Sequence, residues 1–502
     1  MNRKLTIRNI AMTLALQIIT IAYGFVIPKL VLSYFGSETN GLVSSIGQFL
    51  SYIQLLEGGL GSVIMAALYK PLSDHDERKI SEIIKAAELF FRKIALIYLV
   101  YSVIVAVLYP LCVKSSFSFS FVATLTLIIA FSTFIQYFFA LSYRLLITAD
   151  RHGYIVSLAN IIFLALNLGL SIISVRIYPS IHLLKVINAV AFIVQPVVFS
   201  IYVKKNYHIE KDVEPDKKAI AQRWDGFGQN LAFFIHTNTD VVILTLFCSL
   251  KTVSVYSVYF MVIGSLKNLV IAISAAIKPS FGKALVEYSE KDKNKSFVNY
   301  DMGMGLVSTF CFTCCAIMIV SFVNVYTKGI TDVSYHEPLF AVIITFAEAI
   351  YCIRDPYVAV AYSTGKFRET AAYAYIEAAM NIAMSVILVP WLGMVGVAIG
   401  TAVSMLYRMV MHVIYVKKNI LYKPISYFAR NISIYIGGAC IAYYVSNRLF
   451  NLDAITTYFG WFIYACGVAI VVAAVLIMAE VFFNRKVFIP FIKSQISRGG
   501  KK

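Results

Sequence analysis

Long apolar runs separated by short polar stretches make up nearly the whole chain. A helix needs about 20 apolar residues to cross the hydrocarbon of a bilayer. On that length the pattern predicts fourteen spanning helices: 10–32, 42–68, 94–113, 119–142, 155–175, 183–203, 231–248, 255–277, 304–325, 339–362, 371–389, 394–416, 432–449 and 458–483. The stretch from Ile27 to Gly61 sets a plan that recurs from Asp240 to Pro279: one apolar run, a short polar turn, then a second run with an ionisable residue inside it. Phe35 aligns with Phe247, Lys70-Pro71 with Lys278-Pro279, and Asn167 to Ser171 with Asn381 to Ser385, all at nearly one spacing. The predicted organisation is therefore all-α and polytopic, with two six-helix lobes related by an internal repeat. The N-terminal lobe is 1–203, a charged cytoplasmic linker is 204–230, and the C-terminal lobe is 231–416. Two further helices and a basic tail occupy 417–502. Parallel repeats with a binding site between them are a plan used by membrane transporters.

Composition agrees with the pattern. The chain has 502 residues, of which 60% are hydrophobic and 14% charged, with a mean hydropathy of +0.77; soluble domains carry about 25% charged residues. A net charge of +18 would suit nucleic acid if it lay on one face, but Lys and Arg collect between the apolar runs, so no nucleic-acid partner is expected. They concentrate at the termini and in loops 69–93, 143–154, 204–230, 278–303, 363–370 and 417–431, whereas the opposite loops hold Lys114, Arg176, Lys251 and Lys328. The positive-inside rule then places both termini in the cytoplasm. Met1 to Arg8 is basic and leads into a run long enough to span, without a small-residue cleavage site, which reads as a retained anchor. Residues Ile80, Ile83, Ile84, Ala87, Phe90, Phe91 and Ile94 follow helical spacing among Lys and Arg. That pattern fits either an interfacial helix or a solvated extension of the third span.

Several chemistries are excluded. The sequence has no phosphate-cradling GxxxxGK[ST] loop, no HExxH and no GxSxG, and the outward loop 326–338, with Asp332, His336 and Glu337, is too short for a glycosyl-transfer site. Cys311, Cys314 and Cys315 lie close together, but no His or acid joins them to complete a zinc site; the cysteines read as packing. No enzyme activity, cofactor or metal is expected. Energy coupling must come from an ion gradient or from the substrate's own gradient.

The informative residues are ionisable groups within the runs, because a charge in the bilayer is costly and marks function by default. Lys29 lies toward the outer third of the first span, Lys267 near the middle of the eighth, and Arg354 and Arg408 in the cytoplasmic halves of the tenth and twelfth. Together they form a candidate cationic lining for an anionic substrate, in which Arg holds phosphate oxygens in a fork that Lys lacks. The alternative is helix locking: Asp240 lies about as deep as Lys267, and Glu377 could face Arg354 or Arg408. Glu57, Asp240, Glu348 and Glu377 are candidates for coupling to protons or sodium, since a desolvated carboxylate holds its proton more tightly, or for helix pairing. Lys185 and Arg448 lie near helix ends and can snorkel.

A family resemblance follows from Pro28-Lys29 with Tyr34-Phe35-Gly36, Asn40-Gly41-Leu42 and Leu56 to Gly61, from Thr239-Asp240 through Val255-Tyr256, and from Gly393 to Thr401 at the start of the twelfth span. With these the chain resembles the O-antigen and capsule repeat-unit flippases of the multidrug/oligosaccharidyl-lipid/polysaccharide exporter superfamily, over roughly its first 416 residues. The resemblance implies two lobes around a central cavity, alternating access, and movement of undecaprenyl-pyrophosphate-linked oligosaccharide to the outer leaflet of a bacterial inner membrane. It also implies action as a monomer, with a polysaccharide polymerase and chain-length proteins as partners. The sister family that flips the peptidoglycan precursor usually carries arginines where this chain has Ile53 and Gln54, which favours a glycan repeat unit. A cation-coupled multidrug exporter and a membrane-embedded glycan polymerase are the alternatives.

The orientation is directly testable. In a background lacking native cysteines, Asp216→Cys and Lys501→Cys should resist an impermeant thiol reagent in intact cells, whereas Asp332→Cys should react; labelling of position 216 before lysis would reverse the topology.

Overall fold

The computed structural model describes residues 3–57, 59–210, 212–216, 227–287, 289–421 and 425–499. Gly58 of the family motif, residues 217–226 of the linker and the end of the basic tail with Lys501 lie outside them. In chain order the helices are α1 (Arg3–Ser51), α2 (Gln54–Glu57), α3 (Leu60–Asp74), α4 (Glu77–Cys112), α5 (Phe119–Ile135), α6 (Leu141–Ala149), α7 (Gly153–Ile177), α8 (Ile181–Phe192), α9 (Val194–Asn206), α10 (Phe227–Phe247), α11 (Leu250–Glu287), α12 (Glu290–Tyr326), α13 (Pro338–Ser363), α14 (Phe367–Leu392), α15 (Met394–Val416), α16 (Ile425–Leu449), α17 (Tyr458–Phe483) and α18 (Arg485–Gly499). Among the described residues there is no strand.

Ten helices among the described residues are long and apolar enough to cross a membrane. The four other predicted spans are helical but fall outside that set. The segment 42–68 is not one helix: it breaks at Tyr52–Ile53 and again at Gly59, whose φ of 83° is left-handed. Helix α10, Phe227–Phe247, covers the predicted seventh span and includes the apolar stretch Asn238–Phe247. Helix α13 carries Glu348, Arg354 and Asp355, and α16 is diluted by Tyr, Gly, Ser and Asn.

The chain divides into two compact units, Met1–Ser257 and Val258–Lys502, so α10 and the first turns of α11 belong to the first. In that unit α1 is interrupted at Gly36, where φ is 81° and ψ 176°, a conformation open to glycine and strained for other residues. Helix α4 starts on Asp76, whose side chain accepts from the Lys79 amide at 2.9 Å, an N-cap of the usual kind. It then continues without a break to Cys112. The amphipathic stretch is thus an extension of the third span, but not a solvated one, and not an interfacial helix either. Ile80, Ile83, Ile84, Ala87, Phe91 and Ile94 are all buried in the unit's main core. On its polar side Lys79 pairs with Asp216 of the linker at 2.8 Å.

A seam of neutral hydrogen bonds joins the second half of α1 to α10 and the start of α11. Asn40 donates to Ser254 at 2.8 Å, Ser45 and Thr245 share a bond at 2.7 Å, Tyr109 donates to Ser45 at 2.8 Å, and Gln48 donates to Asn238. Gly41 lies in the middle of this contact, and a Cβ there would run into the backbone carbonyl of Leu250.

In the second unit α14 and α15 approach closely because Gly396 faces the backbone at Leu388–Val389 and Gly400 faces Ser385 and Asn381. Asn381 donates to Thr401 across that interface at 2.9 Å. Asn167, which the sequence alignment sets against it, donates to Tyr23 in the first unit at 2.7 Å, and both asparagines are fully buried. Helices α16 and α17 pack on α12 through an apolar cluster that includes Ile317, Met318, Val468 and Val472.

Close packing at Gly41 has a measurable consequence. Gly41→Val should sharply reduce folded protein recovered from membranes, a loss of about 3 kcal/mol or more because the obstacle is backbone. Gly47→Ala, in the same helix with open space at its Cβ position, should be neutral or slightly stabilising.

Candidate functional site

Helix α13 starts with Pro338 in its first turn, where a missing N–H costs nothing. It then places three ionisable side chains in apolar surroundings. Glu348 and Asp355 are seven residues apart and therefore share a face, while Arg354 points to another.

The shared face meets α11. Lys267 Nζ lies 3.1 Å from the Glu348 carboxylate, and the rings of Phe260 and Tyr351 flank the ammonium at 5.2 and 5.3 Å, within cation–π range. Farther along the helix, Lys278 Nζ donates to Asp355 Oδ1 at 2.9 Å. The other oxygen, Oδ2, accepts from Tyr300 at 3.2 Å and from Ser274.

The second face meets α14 and α15. Arg354 donates to Glu377 Oε1 at 2.7 Å, and Arg408 donates to the second oxygen of the same carboxylate. Side-chain exposure is 4% for Arg354, 10% for Arg408 and zero for Glu377. The two lysine–acid pairs are electrically neutral, whereas two guanidiniums on one carboxylate leave an excess positive charge. The Nε atoms of Arg354 and Arg408 are both buried without an acceptor, so the triad also retains donors suited to an anion. Beside this ladder, and within the same unit, is a cavity of about 570 Å³ between α12, α13, α15 and α16. Its walls are mainly apolar and include Phe312, Phe346, Ile353, Leu406 and Tyr435.

The structure distributes the sequence candidates unevenly. Lys267, Arg354 and Arg408 come together with Glu348 and Glu377 in the second unit. Lys29, Glu57 and Asp240 belong to the first. Lys29 is half-buried just after Pro28 in α1; Glu57 accepts from the Tyr137 hydroxyl at 3.3 Å; Asp240 accepts from Tyr256 at 3.0 Å. The expected Asp240–Lys267 pair is replaced by Glu348–Lys267. Equal depth on two helices does not fix which way a side chain points, and α13 supplies the closer acid. Glu377 faces both arginines rather than one.

No family model and no curated protein matches the sequence, but solved structures do match the fold. The structure described as the lipid II flippase MurJ in an inward closed conformation superimposes with a TM-score of 0.71 at 14% identity, covering 96% of this chain and 100% of that one. An inward-facing multidrug resistance MATE family transporter of the MOP superfamily gives 0.64 at 12% identity, covering 82% and 99%. The chain shares the fold of these transporters. A eukaryotic MATE transporter, AtDTX14, superimposes with a TM-score of 0.58 at 13% identity, covering 82% of this chain and 95% of that one.

Within this site, sequence reasoning missed Asp355, Lys278, Ser274 and Tyr300. The signal was available: Asp355 follows Glu348 at a spacing of seven, and Lys278 follows Lys267 by three turns on a helix running the same way. Two matched pairs were therefore geometrically possible from the sequence.

The ladder predicts a specific pattern of losses. Lys267→Ala should lower folded abundance by leaving Glu348 buried and unpaired, a cost of about 3–5 kcal/mol. Adding Glu348→Ala should recover much of it, while adding Asp240→Ala should not. Glu377→Ala, which leaves two like charges in contact, should be more damaging than Arg408→Ala, which leaves a neutral Arg354–Glu377 pair. Fluorescence-detected size exclusion and thermal midpoints of the purified variants measure both orders.

Proposed function

We propose that the protein is a flippase for a lipid-linked oligosaccharide carried on a polyprenyl pyrophosphate, moving it from the inner to the outer leaflet by alternating exposure of one binding region. The observation that carries this reading is coverage. The lipid II flippase fold accounts for 96% of the chain, whereas the MATE transporter folds cover 82% to 83%. A drug exporter of the MATE kind leaves part of this chain without a counterpart; a lipid flippase does not.

The charge distribution supports an anionic head group. A pyrophosphate brought out of water needs cationic donors, and Arg354 and Arg408 together carry more positive charge than Glu377 cancels, with Nε donors unspent. Lys29 is the corresponding candidate in the first unit. The apolar cavity beside α13 falls in the size range of small-molecule pockets and suits the prenyl portion of the lipid. Movement of an intact lipid across the membrane makes and breaks no covalent bond, so no cofactor is required. The acids Glu348 and Glu377 are occupied by basic side chains, which makes them poor carriers for an external ion. Host, sugar and protein partners are proposed as the family resemblance implies: a bacterial inner membrane, surface polysaccharide repeat units, and a downstream polymerase with its chain-length proteins.

Reconstitution tests the reading. Proteoliposomes loaded with polyprenyl-pyrophosphate oligosaccharide should show its accessibility to an added glycosidase rising from the outer-leaflet fraction toward completeness, only when the protein is present. Lys29→Ala should slow that movement about tenfold at unchanged protein content, the effect of losing roughly 1.4 kcal/mol of transition-state stabilisation. Accessibility that stays at the protein-free level, together with protein-dependent movement of cationic drugs, would establish the exporter instead.

A further inference from the structure

The buried acids of the second unit fall into two kinds. Glu348, Asp355 and Glu377 each have a lysine or arginine within hydrogen-bonding distance. Among the described residues, Asp301 on α12 and Glu480 on α17 have none, although they are just as enclosed, at 6% and zero exposure.

The partners of these two carboxylates are neutral. Tyr427 on α16 donates to Asp301 Oδ2 at 3.1 Å. One turn farther along α16, Asn431 accepts from Asn484 at 3.3 Å, and Asn484 also donates to Glu480 Oε2 at 3.0 Å. A chain of polar side chains thus runs from Asp301 to Glu480 along the seam where α16 and α17 pack on α12. Tyr435, a further turn along the same face of α16 as Asn431, packs against α12 at Gly305, where any Cβ would strike its ring.

Tyr357 and Asn431 also donate to Asp301. Among the described residues, Glu480 Oε1, Asn484 Oδ1 and Tyr435 Oη are buried without a hydrogen bond, and each belongs to a residue no more than 4% exposed. Buried polar atoms in folded proteins are nearly always satisfied, so three in one seam point to something that enters it from solution. The titratable groups facing the seam are Tyr357 from α13, Tyr427 and Tyr435 from α16, and Glu480 from α17. Arg430, the base that acts on Glu480 and Tyr427, is exposed and therefore screened by water. A crevice of about 10 Å³ is lined by Tyr357, Tyr427, Phe428 and, as its one basic residue, Lys417, which makes no ion pair with Asp301; it is about the volume of one water.

We infer that the α12–α16–α17 seam is a proton-binding site in which Asp301 and Glu480 are neutralised by protons from solution rather than by a basic side chain. Burying an ionised carboxylate without a cation costs several kcal/mol, and protonation removes that cost while adding an O–H donor for the unpaired acceptors. The site is distinct from the α13 ladder and does not depend on which substrate the protein moves.

Infrared spectroscopy of the full-length protein in detergent tests the assignment. At neutral pH the wild type should show the carbonyl band of a protonated carboxyl, and Asp301→Asn with Glu480→Gln, which mimic the neutral forms, should lose it. The linkage has a definite sign: the folded chain keeps protons that the unfolded chain releases above the ordinary carboxylate range, so the wild-type melting temperature should fall as pH rises through neutrality. The double variant should be flat over the same range. Absence of the band in the wild type overturns the inference even if the variants fail to fold. So does a band that survives in both variants. Replacement of choline chloride by sodium chloride should leave the melting temperature unchanged; a rise with sodium that disappears in Asp301→Asn would show a metal cation in place of the proton.

Discussion

One apolar helix with three charges in it constrains the whole second unit. Helix α13 cannot be surrounded by lipid or by hydrocarbon side chains alone, because an unpaired charge there costs several kcal/mol. It must be bordered by helices that bring the opposite sign at the right height. Helix α11 does so twice, with Lys267 and Lys278, and two pairs on one interface fix both register and rotation. Helices α14 and α15 do so through a single carboxylate held by two arginines. Dispersion between smooth apolar helices would allow sliding; these pairings do not.

The first unit solves the same problem with uncharged groups. Its buried contacts between α1, α10 and α11 are Asn, Ser, Thr, Tyr and Gln side chains, and its ion pairs lie at partly exposed positions on α4 and its neighbours. The two units therefore differ in the means of cohesion. Asn167 and Asn381 align and are both buried, yet one answers a tyrosine of α1 and the other a threonine of α15. Long-range electrostatics bears more on the second unit than on the first.

Much of this was legible in the sequence, and the reasons for the rest are physical. Run length placed helix on each predicted segment, and periodicity identified the apolar face from Ile80 to Ile94. Its burial in the core was not legible, because an amphipathic face looks the same whether protein or lipid covers it. The candidate charges Lys267, Arg354, Arg408, Glu348 and Glu377 were visible as breaks in apolar runs. Their pairing was not, since depth along a helix follows from counting residues but direction around it depends on packing. Asp301 was missed because it falls at the edge of a run and reads as loop; only the structure extends α12 back to Glu290 and buries it. The break of the second span at Tyr52 was equally hidden, as no Pro or Gly marks it.

The placement of α13 also bears on how the chain is made. Synthesis proceeds from the N-terminus, so when Glu348 and Asp355 leave the ribosome their lysines on α11 have already been translated and can meet them on arrival. Arg354 has no such provision: Glu377 is encoded after it, and Arg408 later still. Its guanidinium must wait at the membrane surface or in the insertion machinery until α14 emerges, which makes α13 and α14 a single unit of integration. A ribosomal pause or a truncation between residues 363 and 377 would strand a charged helix with one of its three charges unmatched, the state most exposed to membrane quality-control proteases.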